Sequence, residues 1–140
     1  MPTQFIAPPY PHPHTMPHRM ISERDGMINR GDLFSACLDP VVGSEQGGIR
    51  PVLVIQNDVG NRYSPTVIVL AVTGQLSKAR VPTHVPIACE GTGLVKDSVV
   101  LAEQIRTLDK RRLRERIGAL RPEVMARVGE AVKVSLGIKF

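Results

Sequence analysis

The stretch from Thr66 to Val72 (TVIVLAV) constrains the fold more than any other, because it is apolar without a break and only seven residues long. A membrane-spanning helix needs about 20 such residues, whereas a strand needs about five or six. Its β-branched side chains suit a pleated, packed surface, and the lack of polar alternation indicates burial on both faces. Val52-Leu53-Val54-Ile55, entered through Pro51, reads the same way. No apolar run is longer, so the sequence predicts a soluble protein built on short strands.

Further strands flank these two. Phe34, Ala36 and Leu38 alternate on one face of a first strand that ends at Asp39-Pro40. A glycine-bearing loop, Val41 to Arg50, follows, and Asn57-Asp58 and Gly60-Asn61 supply the next turn. Thr83 to Ile87 alternates again, with Pro86 marking a sheet edge. Asp97 to Ile105 is a fifth strand, Leu108 to Arg112 a short turn, and Arg116 to Leu120 an ambiguous short strand. Pro122 then opens a helix whose Val124, Met125, Val128, Ala131, Val132 and Leu136 form one face, with Gly137 as its stop. Five or six strands and a helix predict a mainly β domain: a strongly bent antiparallel sheet or partly open barrel with the helix packed on it.

A chain of 140 residues has a one-domain length. Residues 1–28 hold six of the twelve prolines and three of the four histidines and show no periodicity. They are expected to form a disordered tail, with Met27 as an alternative start, leaving residues 29–140 as the domain. His12-Pro13-His14 in the tail could catch a stray metal ion. The tail's charges balance, so the whole formal charge of +5 belongs to the domain, and a basic domain attracts a polyanion or an acidic protein segment. Cys37 and Cys89 form no CxxC pair, and no secretory signal is recognised, which predicts free thiols and a reducing cytoplasm. The domain contains one histidine, His84, and its carboxylates are scattered without ligand spacing, so neither a metal site nor a cofactor is expected.

At the level of motifs, Ile28-Asn29-Arg30-Gly31-Asp32 and the segment from Asp39 to Asn57, with its core Gly43-Ser44-Glu45-Gln46-Gly47-Gly48-Ile49-Arg50-Pro51, resemble the opening of the MazF/PemK/Kid toxins, most closely the Gram-positive MazF branch. Thr73-Gly74-Gln75, Pro82-Thr83-His84-Val85, Asp97 to Leu101 and Glu103-Gln104-Ile105-Arg106-Thr107-Leu108-Asp109-Lys110 continue the likeness in order. It spans essentially all of residues 29–140. The resemblance implies an SH3-like small barrel and a homodimer without membrane attachment. It implies cleavage of single-stranded RNA at a short sequence, and control by a cognate MazE-like antitoxin through which the complex could bind its operator DNA. The same fold carries CcdB-type gyrase poisons, which act by binding through a C-terminal tryptophan; this chain has no tryptophan.

Metal-free RNA cleavage uses the 2′-hydroxyl as nucleophile, so the protein must move protons and stabilise charge on the phosphorane. The resemblance implies Arg50 and Thr73 as the catalytic pair. Arg50, held extended before Pro51, offers a planar fork for phosphate oxygens, the alternative being an ion pair with Asp39 or Glu45. Thr73 closes the most apolar strand, where its hydroxyl can donate to a phosphate, the alternative being plain β-propensity. Glu45 is a candidate base or a solvated loop carboxylate. Ser44, Glu45, Gln46, Asn57, Gln75, His84 and Gln104 stand at family-matching positions for contacts to unpaired bases, though each could equally stabilise a turn or face solvent. The run Lys110, Arg111, Arg112, Arg114, Arg116, Arg121 is either a solvated face or a landing strip for RNA or an acidic antitoxin.

Overall fold

The computed structural model describes residues 27–76 and 81–139. The chain runs through β1 (Asp32–Cys37), β2 (Ile49–Val54), α1 (Asp58–Tyr63), β3 (Thr66–Thr73), β4 (His84–Ile87), β5 (Ser98–Asp109), a 3-10 turn (Lys110–Arg112), β6 (Leu113–Ala119) and α2 (Pro122–Leu136). The six strands form one sheet in the order β4-β5-β3-β2-β1-β6, every pairing antiparallel.

The two central apolar runs are buried on both faces, and each face carries its own core. Phe34, Ala36, Leu38, Val52, Val54, Val67, Val69 and Leu101 belong to one. Leu33, Leu53, Leu70, Val72 and Val100 belong to the other, which α2 covers with Val124, Met125, Val128 and Ala131. Val132 packs against its margin, but the predicted helical stripe runs out at the last turn, where Leu136 is exposed. The helix ends at Gly137 through bonds from Gly137 N to Val134 O and from Ile138 N to Lys133 O.

The bend of the sheet lies in β5. One step along β3, from Leu70 to Ala71, shifts the partner on β5 from Ile105 to Leu101, so Ala102, Glu103 and Gln104 bulge out of the ladder. Beyond the bulge β5 continues to Asp109, four residues past the predicted end. The predicted turn shrinks to Lys110–Arg112, and the undecided segment is strand β6. Helix α1 went unpredicted, since six residues are too few for a helical period to show.

Of the predicted tail, residues 1–26 lie outside the described residues. Ile28, assigned to that tail, is instead part of the first core at 3% exposure.

Candidate functional site

Strand register runs toward both candidate catalytic residues. β2 and β3 pair Val54 with Val69, Leu53 with Leu70 and Val52 with Ala71. The pairing ends at Val52 and Ala71, and carried on for two residues the same register would set Arg50 level with Thr73. Residues directly opposite one another share a face, here the face of the first core. The apolar stripe Val54, Val52 thus ends in Arg50, and the stripe Val67, Val69, Ala71 ends in Thr73. Neighbouring strands complete the row, with Ala36 beside Arg50, Val99 beside Thr73 and Pro86 beyond Val99.

Arg50 donates from Nε to Gly47 O at 2.6 Å, which anchors the fork at its root. Neither alternative partner holds it: Asp39 Oδ1 accepts from Gly48 N at 2.9 Å, and Glu45 Oε1 accepts from Val42 N at 2.8 Å. Thr73 is only 2% exposed, lying deeper than a strand-end residue facing a groove. Its Oγ1 accepts from Gln75 N at 3.2 Å, so the hydroxyl hydrogen stays available for donation.

The loop between β1 and β2 forms one wall. Its neck is closed by Leu38 N to Gly48 O at 2.9 Å. Three side chains from far along the chain hold its backbone. Arg112 Nη1 donates to Cys37 O at 3.1 Å and Asp39 O at 2.6 Å, Arg106 Nη2 donates to Leu38 O at 3.2 Å, and Gln104 Oε1 accepts from Gln46 N at 3.4 Å. Gly47 is required by packing, since a Cβ there would stand 2.6 Å from Val41 Cγ2 and 2.8 Å from Asp39 Oδ1. Ser44 and Glu45 are exposed at the tip, above this fixed base. Gln46 Oε1 is buried without a hydrogen-bond partner among the described residues.

His84 stands on the same face one row away, in the line Phe34, Val52, Ala71, Leu101, His84. Two strand spacings and two residues separate it from Thr73, roughly 12 Å, too far to share one phosphate. His84 Nε2 and Glu103 Oε2 are 2.8 Å apart. Burial pushes the Glu103 carboxyl up, but its hydrogen bonds with His84, its own backbone and Thr83 outweigh this and hold it below the usual range. Gln75 is exposed just past Thr73. Asn57 is not brought to the site: it follows the other end of β2, about 20 Å from Arg50, and its Oδ1 caps α1 by accepting from Gly60 N at 2.8 Å.

The basic run is neither a free landing strip nor a uniformly solvated face. Lys110 is 3% exposed and its Nζ donates to Asn61 O; burial lowers its pKa. Arg111 is paired with Asp109, Arg112 holds the loop neck, and Arg116 donates to the buried Asp32 at 3.1 Å. Sequence reasoning gave no site role to Arg106 or Lys96, for which charge alone is no signal, and named Arg112 only as part of the basic run. Among the described residues no group of three His, Cys, Asp or Glu side chains is arranged to hold a metal ion. No described helix is long and apolar enough to cross a membrane. A cavity of about 400 Å³, lined by Ile87, Thr92, Leu120, Arg121, Val124 and Arg127, belongs to the helix-covered side and shares no residue with the Arg50–Thr73 row.

Comparison with known proteins gives this arrangement a family. Residues 29–136 match the PemK-like, MazF-like toxins of type II toxin-antitoxin systems. The endoribonuclease EndoA of Bacillus subtilis is 57% identical over 112 residues, which cover 80% of this chain and 97% of that protein. Among solved structures, MazF from Deinococcus radiodurans matches with a TM-score of 0.69 at 29% identity, covering 80% of this chain and 98% of that one. An endoribonuclease in complex with its cognate antitoxin, from a mycobacterial species, matches with a TM-score of 0.67 at 25% identity, covering 81% and 98%. With its strand order and loop set beside a match that spans nearly the whole described domain, this chain belongs to the PemK-like, MazF-like toxins of type II toxin-antitoxin systems.

Proposed function

We propose that this chain is a sequence-selective endoribonuclease that cuts single-stranded RNA at a phosphate held between Arg50 and Thr73. What supports the reading is that the paired apolar stripes of β2 and β3, on one face of the sheet, run toward Arg50 and Thr73. The 57% identity with an endoribonuclease supports the reaction class.

In the proposed reaction the ribose 2′-oxygen forms a bond to phosphorus and loses its proton, the bond from phosphorus to the 5′-oxygen breaks, and that oxygen takes up a proton. The products are a 2′,3′-cyclic phosphate, opened by water to a 3′-phosphate, and a 5′-hydroxyl. Charge builds on the non-bridging oxygens, where fixed donors help most. The terminal nitrogens of Arg50 supply two such donors in the plane of the fork, and Thr73 Oγ1 supplies a third. Guanidinium groups stay protonated, so Arg50 acts by charge rather than as the base. Glu45 is the carboxylate candidate for the base, through the oxygen not bonded to Val42 N. Ser44, Gln46, Gln75 and Gln104 are assigned to the bases around the cut, His84 to a neighbouring nucleotide, and Asn57 is withdrawn to a capping role.

The protein is further proposed to work in the cytoplasm as a homodimer, neutralised by a cognate antitoxin through which the complex meets operator DNA. Solved relatives carrying antitoxin support the partner. The test is incubation of the purified protein with a long RNA in excess EDTA, with the fragment ends mapped. A few repeated cuts ending in cyclic or 3′-phosphate, abolished by 2′-deoxy substitution at the cut, are expected. Activity lost in EDTA and restored by magnesium, or continued cutting of the 2′-deoxy substrate, overturns the scheme.

A further inference from the structure

Thr73 is followed by Gly74, and the space that a side chain would fill there is taken by Lys96. A Cβ on Gly74 would lie 2.3 Å from Lys96 Cε, 3.0 Å from its Nζ and 3.5 Å from its Cδ. The lysine therefore lies across the turn that ends β3, with its ammonium beside the residue after the candidate catalytic threonine. Its root is fixed on both sides, because Asp97 Oδ1 accepts from Cys89 N at 2.9 Å and Ser98 Oγ donates to Lys96 O at 3.0 Å. Three residues after Lys96, Val99 pairs with Thr73, which ties that root to the site.

Among the described residues, several other cations are already engaged: Arg106 and Arg112 hold the loop neck, and Arg116 and Arg111 are paired with carboxylates. Lys96 is exposed and makes no ion pair or side-chain hydrogen bond among the described residues. Its neighbour Asp97 is turned to Cys89. Lys96 meets the turn at Gly74, one residue past Thr73. It is thus set for a phosphate beside the reacting one.

We propose that Lys96 is a phosphate-binding residue that grips the RNA backbone one nucleotide away from the cut, where the strand passes over Gly74. This rests on the reading of Arg50 and Thr73 as the site of the scissile phosphate. An ammonium suits the role, since it is a compact point charge that holds a phosphate without reading a base.

The test measures binding of an RNA made uncleavable by 2′-deoxy substitution, across a salt series, for the wild type, Lys96→Met, Gly74→Ala and Lys96→Met/Gly74→Ala. Each phosphate contact to single-stranded nucleic acid adds about 0.7 to the slope of log affinity against log salt. Lys96→Met should lower the slope by about 0.7, so that its deficit against the wild type shrinks about 2.6-fold between 50 and 200 mM salt. Gly74→Ala keeps the charge but displaces the lysine, and its φ is not in the left-handed region, so the substitution is unstrained there. It should lower the slope similarly, and the double variant no further. Arg114→Met, which removes an exposed cation on β6, should keep the wild-type slope. A wild-type slope in Lys96→Met, or a loss in Arg114→Met as large as in Lys96→Met, overturns the proposal. Failure of the Arg50–Thr73 reading shows separately, as undiminished cleavage by Arg50→Ala.

Discussion

Replacing Arg50 by alanine separates what the residue does for the fold from what it does for the reaction. Among the described residues its side chain is held by the bond from Nε to Gly47 O at 2.6 Å, and such a partly buried bond is worth about 1 kcal/mol net. Removing that from a domain stable by about 5 kcal/mol or more leaves over 99% of the molecules folded, with a melting point lower by about 4 °C. The catalytic loss should be far larger, because deleting one fixed donor to a developing oxyanion costs about 10²-fold or more in rate. The assay is single-turnover cleavage of a short RNA by saturating enzyme, with circular dichroism on the same samples. Arg50→Lys should recover little of the rate, since an ammonium cannot donate to Gly47 O and span two phosphate oxygens at once. Cleavage by Arg50→Ala within about threefold of the wild type, with the fold intact, would show that the guanidinium does not face the reacting phosphate.

Thr73→Val keeps the shape of the strand and removes only the hydroxyl, so cleavage should fall about 10- to 100-fold while the melting point moves by only a few degrees; an unchanged rate would remove Thr73 from the mechanism. Arg112→Leu unties Cys37 O and Asp39 O, and should raise hydrogen exchange in residues 41–48 and blur the choice of cleavage site, as seen by sequencing fragment ends; wild-type exchange and wild-type selectivity would refute the clamp. Deleting residues 1–26 should leave cleavage unchanged, whereas Ile28→Ala should cost about 2–4 kcal/mol in a urea titration, because Ile28 is a core residue; a neutral Ile28→Ala would refute its place in the core. The guanidinium and backbone N–H of Arg111 hold the Asp109 carboxyl below its usual range. A lowered carboxylate pKa stabilises the fold above about pH 4 and loses that effect as pH falls through the lowered value, so Asp109→Asn should flatten the urea midpoint against pH between about 5 and 2; an unaltered curve would refute the linkage.

The strands and the long helix were legible because their signal is local. Val52 to Ile55 and Thr66 to Val72 announce burial by composition, and Phe34, Ala36 and Leu38, predicted to share one face, all lie in the first core. The bulge in β5 was not legible, because Ala102, Glu103 and Gln104 look like ordinary strand residues and only the register with β3 expels them. Arg50 and Thr73 were named through family likeness; physically, the paired apolar stripes of two antiparallel strands run toward both. The basic run shows why charge misleads. Arg112 reaches back 75 residues to Cys37, and Lys110 reaches back 49 residues to Asn61. Nothing in the composition of a segment tells whether its cations face water or a distant carbonyl, because that depends on which backbone groups the fold leaves unpaired beside it. The same logic isolates Lys96. It stands apart from the dense run and carries no motif, yet it is exposed and uncommitted beside Thr73 because glycine at position 74 leaves it room. In a basic domain, then, the cations that remain available to a polyanion are the ones the fold has not already used, and these need not lie where the charge is densest.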